Sequence, residues 1–165
     1  MTTYCERPII FPLSNPTSKA EVTPDEAYRW TNGKAIIASG SPFPETVING
    51  KTLRPSQGNN FYVFPGIGLG CALSRPRYIP DALLIAGALS LYHLTTNEQL
   101  QDGYLYPPLT DIRDISAQIA ADVILEAQKL KIDGAKDFPS KRSEILLKVK
   151  KIQWSPTYSG EIPIN

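Results

Sequence analysis

The sequence predicts an α/β fold built on a parallel sheet, and three observations carry that reading. Two short apolar runs, Ile9-Ile10-Phe11 and Ala35-Ile36-Ile37-Ala38, flank a single well-capped helical stretch. Each run closes in small polar turn residues, Leu13-Ser14-Asn15-Pro16 and Ser39-Gly40-Ser41-Pro42. Ten of the fifteen prolines, at positions 8, 12, 16, 24, 42, 44, 55, 65, 76 and 80, divide the first half into short elements, whereas the second half reads as helical.

Ile9-Ile10-Phe11 is continuously apolar and β-branched, which suits a strand covered on both faces, and Asn15 and Pro16 end it. Thr23 is placed to cap a helix, Pro24 suits its first position, and Glu26 completes a capping box. Ala27, Tyr28 and Trp30 lead to a stop at Asn32-Gly33. Strand, helix and strand make a right-handed βαβ unit, so Ile9–Leu13 and Ala35–Ala38 are expected as neighbouring parallel strands. Asn49-Gly50, at the centre of Val47 to Leu53, marks a surface hairpin. Gln57-Gly58-Asn59-Asn60 then precedes the aromatic run Phe61 to Phe64. Two adjacent amides at a strand edge suit a carboxylate or hydroxyl ligand. The same pattern also describes an Asx-rich turn.

In the second half, Pro80 to His93 reads as a core helix and Thr96 to Leu100 as a short turn. Thr110 is placed to cap a long helix whose Ile112, Ile115, Ile119, Val123 and Ala127 form one apolar face, with Gly134 as the stop. Asp111 and Asp114 near its start and Lys129 and Lys131 near its end match the helix dipole. From Pro139 onward the chain carries Lys141, Arg142, Lys148, Lys150 and Lys151 around Ile145, Leu146, Val149 and Ile152. This is a basic amphipathic arm, expected to pack its apolar stripe on its own domain or on a neighbouring subunit. A division into residues 1–134 and 135–165 follows.

Composition excludes several functions. With 17 Lys+Arg against 16 Asp+Glu the net charge is +1, which gives no electrostatic case for nucleic acid or for an anionic membrane surface. The longest mostly apolar run, Ala82 to Leu94, falls short of the roughly 20 residues a membrane span needs, so a soluble chain is expected. Two cysteines make neither a disulfide framework nor a zinc site, and one histidine argues against a Ser-His-Asp triad. Gly66-x-Gly68-x-Gly70 lacks the third glycine of a dinucleotide fingerprint, because Cys71 stands in its place. We read it as a close approach of a helix to the sheet. His93 and Cys71 read as structural, and Asp111 and Asp114 as dipole partners. What remains is a set of binding-type polar residues at strand ends, where open parallel sheets hold their ligands.

Four strings in order carry a resemblance. They are Arg7-Pro8-Ile9-Ile10-Phe11-x-Leu13-Ser14-Asn15-Pro16-Thr17, Ala38-Ser39-Gly40-Ser41-Pro42-Phe43, Gln57-Gly58-Asn59-Asn60-x-Tyr62-x-Phe64-Pro65-Gly66 and Gly103-x-Leu105-Tyr106-Pro107-Pro108-Leu109. Over residues 6 to 130, and more loosely from Trp154 to Tyr158, the chain resembles the C-terminal part of a malic enzyme. The resemblance implies the C-terminal half of a doubly wound, Rossmann-type dinucleotide-binding domain over residues 1–134, with a helical C-terminal extension over 135–165. It implies NAD- or NADP-linked oxidation of malate with decarboxylation to pyruvate, assisted by Mg or Mn, in a homo-oligomer. Asn15, Asn59 and Asn60 match the family's substrate contacts. Ser14, Asn15, Ser39 and Gly40 match the edge that runs along the cofactor.

The family's lysine base, tyrosine acid, acidic metal ligands and glycine-rich loop lie upstream of this region, and none is matched here. No catalytic or metal residue is therefore assigned. The chain is expected to be a fragment or truncated product, inactive by itself. The competing expectations are a non-catalytic product that binds nucleotide or pairs with full-length subunits, and a related malolactic-type enzyme. NAD versus NADP, and a cytoplasmic versus mitochondrial location, stay open.

Overall fold

The computed structural model describes residues 2–154. Strand β1 (Ile9–Ile10), helix α1 (Pro24–Trp30) and strand β2 (Ile36–Ser39) form the expected βαβ unit. The strands are parallel, with Ile9 opposite Ile36 and Ile10 opposite Ile37. β1 is shorter than predicted, and Pro12, which lacks an N–H, follows soon after it. Pairing nonetheless continues, because the Gly40 N–H donates to the Pro12 carbonyl at 3.0 Å. The capping box of α1 is complete: Thr23 Oγ1 accepts from the Glu26 N–H at 3.3 Å, and the Glu26 carboxylate accepts from the Thr23 N–H at 3.0 Å. Asn32 and Gly33, at φ 51° and 75°, end the helix in the left-handed region as predicted.

Strands β3 (Thr46–Ile48) and β4 (Lys51–Leu53) pair antiparallel around Asn49 and Gly50. Both turn residues have positive φ, 51° and 75°, as a type I′ hairpin requires. Strand β5 (Ser56–Gln57) lies parallel to β2 on the side away from β1, so the sheet order is β1-β2-β5. Ala27, Tyr28, Ala35, Ile37 and Leu53 form the core under this sheet.

Five helices follow among the described residues: the first is α2 (Phe64–Ser74), then come α3 (Asp81–Leu94) and α4 (Asn97–Gln101), and last α5 (Ile112–Lys129) and α6 (Arg142–Ile152). α5 is the axis of this half. Its predicted face is buried through Ile115, Ile119, Val123 and Ala127. A second face, Ala117, Ala120, Ala121 and Ile124, receives Ile145 and Val149 of α6, so the basic arm packs on its own chain. Asp122 fastens this contact, accepting from Arg142 Nε at 2.5 Å, Arg142 Nη2 at 2.8 Å and Ser90 Oγ at 2.6 Å. Ser155 to Tyr158 of the predicted tail lie outside the described residues.

Several expectations are corrected. β1 is not covered on both faces: Ile9 is 62% and Leu13 50% exposed, and β1 is the edge of the described sheet. Phe61–Phe64 is not a strand edge but a 3-10 turn, Asn60–Tyr62, running into α2. The predicted turn at Thr96 to Leu100 is instead helix α4, Asn97–Gln101, with a capping box between Thr96 and Gln99. α3 is only half core: Leu83, Gly87, Ser90 and Leu91 are buried, whereas Leu84, Ile85, Leu89 and Tyr92 are exposed. A helix apolar all round gives no periodicity from which to orient it. Thr110 does not cap α5, which a 3-10 turn at Leu109–Asp111 precedes. α5 ends where Lys131 turns left-handed at φ 56°, not at Gly134. Gly134 instead packs on the end of α2, donating its N–H to the Ser74 carbonyl at 2.9 Å.

Gly66 and Gly70 of α2 face a helix and not the sheet. A Cβ on Gly66 would lie 2.6 Å from Ile119 Cβ, and one on Gly70 would lie 2.8 Å from Val123 Cβ. With Ser74 they make a stripe at four-residue spacing that lets α2 sink onto α5. Gly68 points away, with nothing within 4 Å. Gly66→Ala should therefore destabilise the chain by roughly 1–3 kcal/mol through overpacking. Gly68→Ala should be neutral or stabilising by up to about 1 kcal/mol through helix propensity. Urea midpoints followed by circular dichroism check both, and equal effects would contradict the seam.

Burial pushes the Tyr28 phenol up to about 12 from its ordinary value near 10. Between these values the unfolded chain loses a proton that the folded chain keeps. The contribution of Tyr28 is thus fully present below pH 10 and is lost as pH rises toward 12. Alkaline unfolding curves should show the decline, and Tyr28→Phe should make it shallower within that window.

Candidate functional site

The carboxyl ends of the three parallel strands meet at one edge. They are Leu13-Ser14-Asn15 after β1, Ser39-Gly40-Ser41 at the end of β2, and Gln57-Gly58-Asn59-Asn60 at the end of β5. Backbone bonds carry the sheet to this rim: besides Gly40 to Pro12, the Gly58 N–H donates to the Ser39 carbonyl at 2.8 Å. No side chain fits at residue 40. A Cβ there would lie 2.4 Å from the Leu13 carbonyl oxygen and 3.1 Å from Asn15 Nδ2.

Neutral side chains then lace the three ends together. Ser41 Oγ donates to Asn15 Oδ1 at 2.7 Å, and Ser39 Oγ donates to the Ser41 carbonyl at 2.5 Å. Gln57 Nε2 donates to the Gly40 carbonyl at 3.3 Å. The Asn15–Pro16 peptide bond is cis. Ser39 and Ser41 are buried, whereas Ser14, Asn15, Asn59 and Asn60 are exposed. The Ser14 hydroxyl donates to Glu21 Oε1 at 2.5 Å, which holds the Glu21 carboxyl below its ordinary value. Asn59 Oδ1 accepts from the Phe61 N–H at 2.9 Å, the Asx-type bond that the sequence also allowed. Among the described residues the Asn60 side chain has no hydrogen-bond partner.

The fold therefore brings Ser14, Asn15, Ser39, Gly40, Asn59 and Asn60 to one side of the sheet. Two further residues, Ser41 and Gln57, were not singled out as candidates. Their signal was their position inside the same turn strings, next to residues that were. Amides and hydroxyls of this kind orient a ligand but do not exchange protons with it at neutral pH. Among the described residues no group of three His, Cys, Asp or Glu is placed to hold a metal ion. Cys71 is half-buried in α2, and burial pushes its thiol up, away from nucleophile chemistry. His93 lies on α3, edge-on to Tyr92 at 5.0 Å. A cleft of about 590 Å³ lies toward the amino ends of the strands, and its cations are in part committed, Lys34 to Glu6 and Arg54 to Glu45.

Open α/β domains hold their ligands outside the carboxyl ends of their parallel strands, and this neutral, hydrogen-bonding rim lies at such ends. Comparison with known proteins narrows the class. The family model described as the NAD binding domain of malic enzyme matches residues 1–128. The chain is 43% identical over 164 residues to the NADP-dependent malic enzyme of Rattus norvegicus, covering 99% of this chain and 28% of that protein. It is 52% identical over 118 residues to the mitochondrial NAD-dependent malic enzyme of Ascaris suum, covering 72% of this chain and 18% of that one. Among solved structures, the malic enzyme of Pyrococcus horikoshii superposes with a TM-score of 0.64 at 26% identity, over 87% of this chain and 29% of the other. The malic enzyme of Entamoeba histolytica, at 24% identity, shares the fold with a TM-score of 0.67, over 86% of this chain and 26% of the other. This chain belongs to the malic enzyme NAD-binding domain family, and it spans less than a third of the length of these relatives.

Proposed function

We propose that this chain supplies the C-terminal half of the dinucleotide-binding domain of an enzyme that oxidises and decarboxylates malate to pyruvate with NAD or NADP. The carrying observation is the rim itself, where Asn15 is held by Ser41 on the same edge that presents Asn59 and Asn60. On this reading Asn15, Asn59 and Asn60 donate their amide hydrogens to the oxygens of malate. Ser14 and Asn15, with the backbone of Ser39 and Gly40, line the path of the cofactor. Residues 1–134 act as this partial domain and residues 135–165 as its helical arm. The complete enzyme is a homo-oligomer.

The donor set fits one part of a nicotinamide cofactor. The amide nitrogen of Asn15 has no hydrogen-bond partner among the described residues and sits where a carboxamide or ribose hydroxyl could be met. A bound nicotinamide would accept a hydride from the substrate. The pyrophosphate finds no cradle here. At the α1 terminus Thr23 Oγ1 takes the Glu26 N–H and the Glu26 carboxylate takes the Thr23 N–H, and Gly66 and Gly70 of α2 are turned onto α5. A divalent metal does not fit the described residues either, since no group of three His, Cys, Asp or Glu among them is placed to hold one. The chain's own part is to bind and orient: neutral donors fix malate without adding a charge that would alter its ionisation. These same features support a second reading, in which the chain by itself binds without turnover.

Two measurements test this. The purified 165-residue chain, given malate, Mn²⁺ and either cofactor, should produce no reduced cofactor above background. Residues 6–130 grafted into the corresponding segment of the Rattus norvegicus relative should support malate-dependent reduction. In that graft Asn15→Ala and Asn60→Ala should each lower kcat/KM by roughly 10–100-fold, the loss of a hydrogen bond to a charged ligand. A folded, active graft indifferent to both substitutions would contradict the proposal.

A further inference from the structure

The cleft at the amino ends of the strands gathers positive charge that the fold does not use. Arg7 stands two residues before Ile9 and Lys34 two residues before Ile36, and Ile9 pairs with Ile36, so the register sets these cations level on neighbouring strands. Lys51 opens β4 and Arg54 follows its end, and all four residues line the same cavity of about 590 Å³. Two carboxylates, Glu6 and Asp102, line it with them. Glu6 accepts from Lys34 at 2.8 Å, and Glu45 accepts from Arg54 at 2.6 Å. The side chains of Arg7 and Lys51 make no hydrogen bond or ion pair with any described residue. Like charges level on paired strands repel unless an anion offsets them, and the single carboxylate of Glu6 does not balance Arg7 and Lys34 together.

The floor of the cleft supplies a second, independent observation. Tyr28 is only 4% exposed, yet its hydroxyl has no hydrogen-bond partner among the described residues. No sealed side-chain oxygen or nitrogen among those residues goes without a partner, so this hydroxyl keeps an opening to solvent, and the cleft is the cavity that Tyr28 lines. Burial pushes the phenol up to about 12, so it stays protonated and able to donate throughout the neutral range. Leu53 of β4 and Leu100 of α4 add apolar wall beside it. We propose that this cleft binds a small organic anion carrying two or more negative charges on an apolar body, with Arg7 and Lys51 holding the charge and the Tyr28 hydroxyl donating to one of its oxygens. The cavity falls within the range of small-molecule sites, roughly 300–1,000 Å³. Phosphate monoesters and aromatic polycarboxylates share this chemistry. The inference does not rest on the malate reading of the rim, which lies at the opposite ends of the strands.

The test uses the ¹⁵N-labelled 165-residue chain at about pH 7.5, above the second ionisation of a phosphate ester. Phenyl phosphate and phthalate are the probes, with inorganic phosphate at equal ionic strength as the reference. At least one probe should shift the backbone amides of Lys34, Lys51 and Arg54 saturably while leaving Gly40 and Gly58 at the rim in place. Tighter binding of phenyl phosphate assigns the cleft to phosphate esters, and tighter binding of phthalate assigns it to polycarboxylates. Inorganic phosphate, which lacks the apolar body, should bind roughly tenfold more weakly. Arg7→Ala and Lys51→Ala, both at exposed positions, should each raise the apparent Kd roughly three- to tenfold. Lys51→Arg should restore it. Tyr28→Phe, which keeps the ring, should raise it roughly threefold or more. Circular dichroism checks that each variant folds. The absence of a saturable shift with both probes overturns the inference, as do equal affinity for inorganic phosphate and an unchanged Kd in folded Arg7→Ala and Lys51→Ala chains. A folded Tyr28→Phe chain that binds as tightly as the parent also overturns it, because the hydroxyl would then take no part.

Discussion

The site depends on how closely two strands approach each other at residue 40. Only glycine permits that approach, because any Cβ would press into the Leu13 carbonyl. The approach lets the Gly40 N–H reach Pro12, and this extends a two-residue strand into a continuous edge. It also brings Ser41 within reach of Asn15, although 26 residues separate them. On the far side of β2 the Gly58 N–H bonds the Ser39 carbonyl, and there a Cβ would meet only the movable end of the Leu13 side chain, at 3.0 Å from Cδ2. The three strand ends are thus one surface because the Gly40 and Gly58 N–H groups bond β2 to both of its neighbours.

The helical half holds the other side of that surface. Tyr62 closes the 3-10 turn that begins at Asn60, and only 6% of it is exposed. Its ring stacks on Tyr106 at 5.1 Å and its hydroxyl donates to the Pro107 carbonyl at 2.8 Å. The Leu105 N–H donates to Ser56 Oγ of β5 at 2.9 Å, which ties the same segment to the sheet. The direction of Asn59 and Asn60 is therefore set by residues almost 50 positions downstream. Behind them stands the packing of α2 on α5, whose glycine stripe brings the base of this turn into the core. Burial without a charged partner is also why the Tyr62 phenol is pushed up; it serves as an anchor rather than an acid.

Features that depend on neighbours in the chain were legible before the structure. The Thr23–Glu26 capping box, the Asn32-Gly33 stop, the Asn49-Gly50 turn and the parallel order of β1 and β2 follow from local chemistry and from the handedness of a βαβ unit. Features that depend on what lies across the core were not. The glycines of α2 announce a close approach but not its partner. The aromatic run from Phe61 to Phe64 suits a strand by propensity, yet tertiary packing of Tyr62 makes it helical. The rim residues were visible as turn residues, and the family strings marked six of them. Ser41 and Gln57 escaped because a latch is defined by the atom it reaches, which no spacing reveals.

The central claim is that the strand ends form one rigid edge, although β1 and β5 are only two residues long. Native-state hydrogen exchange of the Gly40 and Gly58 amides tests it most directly, since these two N–H groups are the bonds that join β2 to its neighbours at the rim. The account predicts that both exchange as slowly as the Ile36 amide, which bonds the Pro8 carbonyl at the start of β2. Exchange of Gly40 and Gly58 at the rate of the Asn49-Gly50 hairpin tip, with Ile36 still protected, would contradict it.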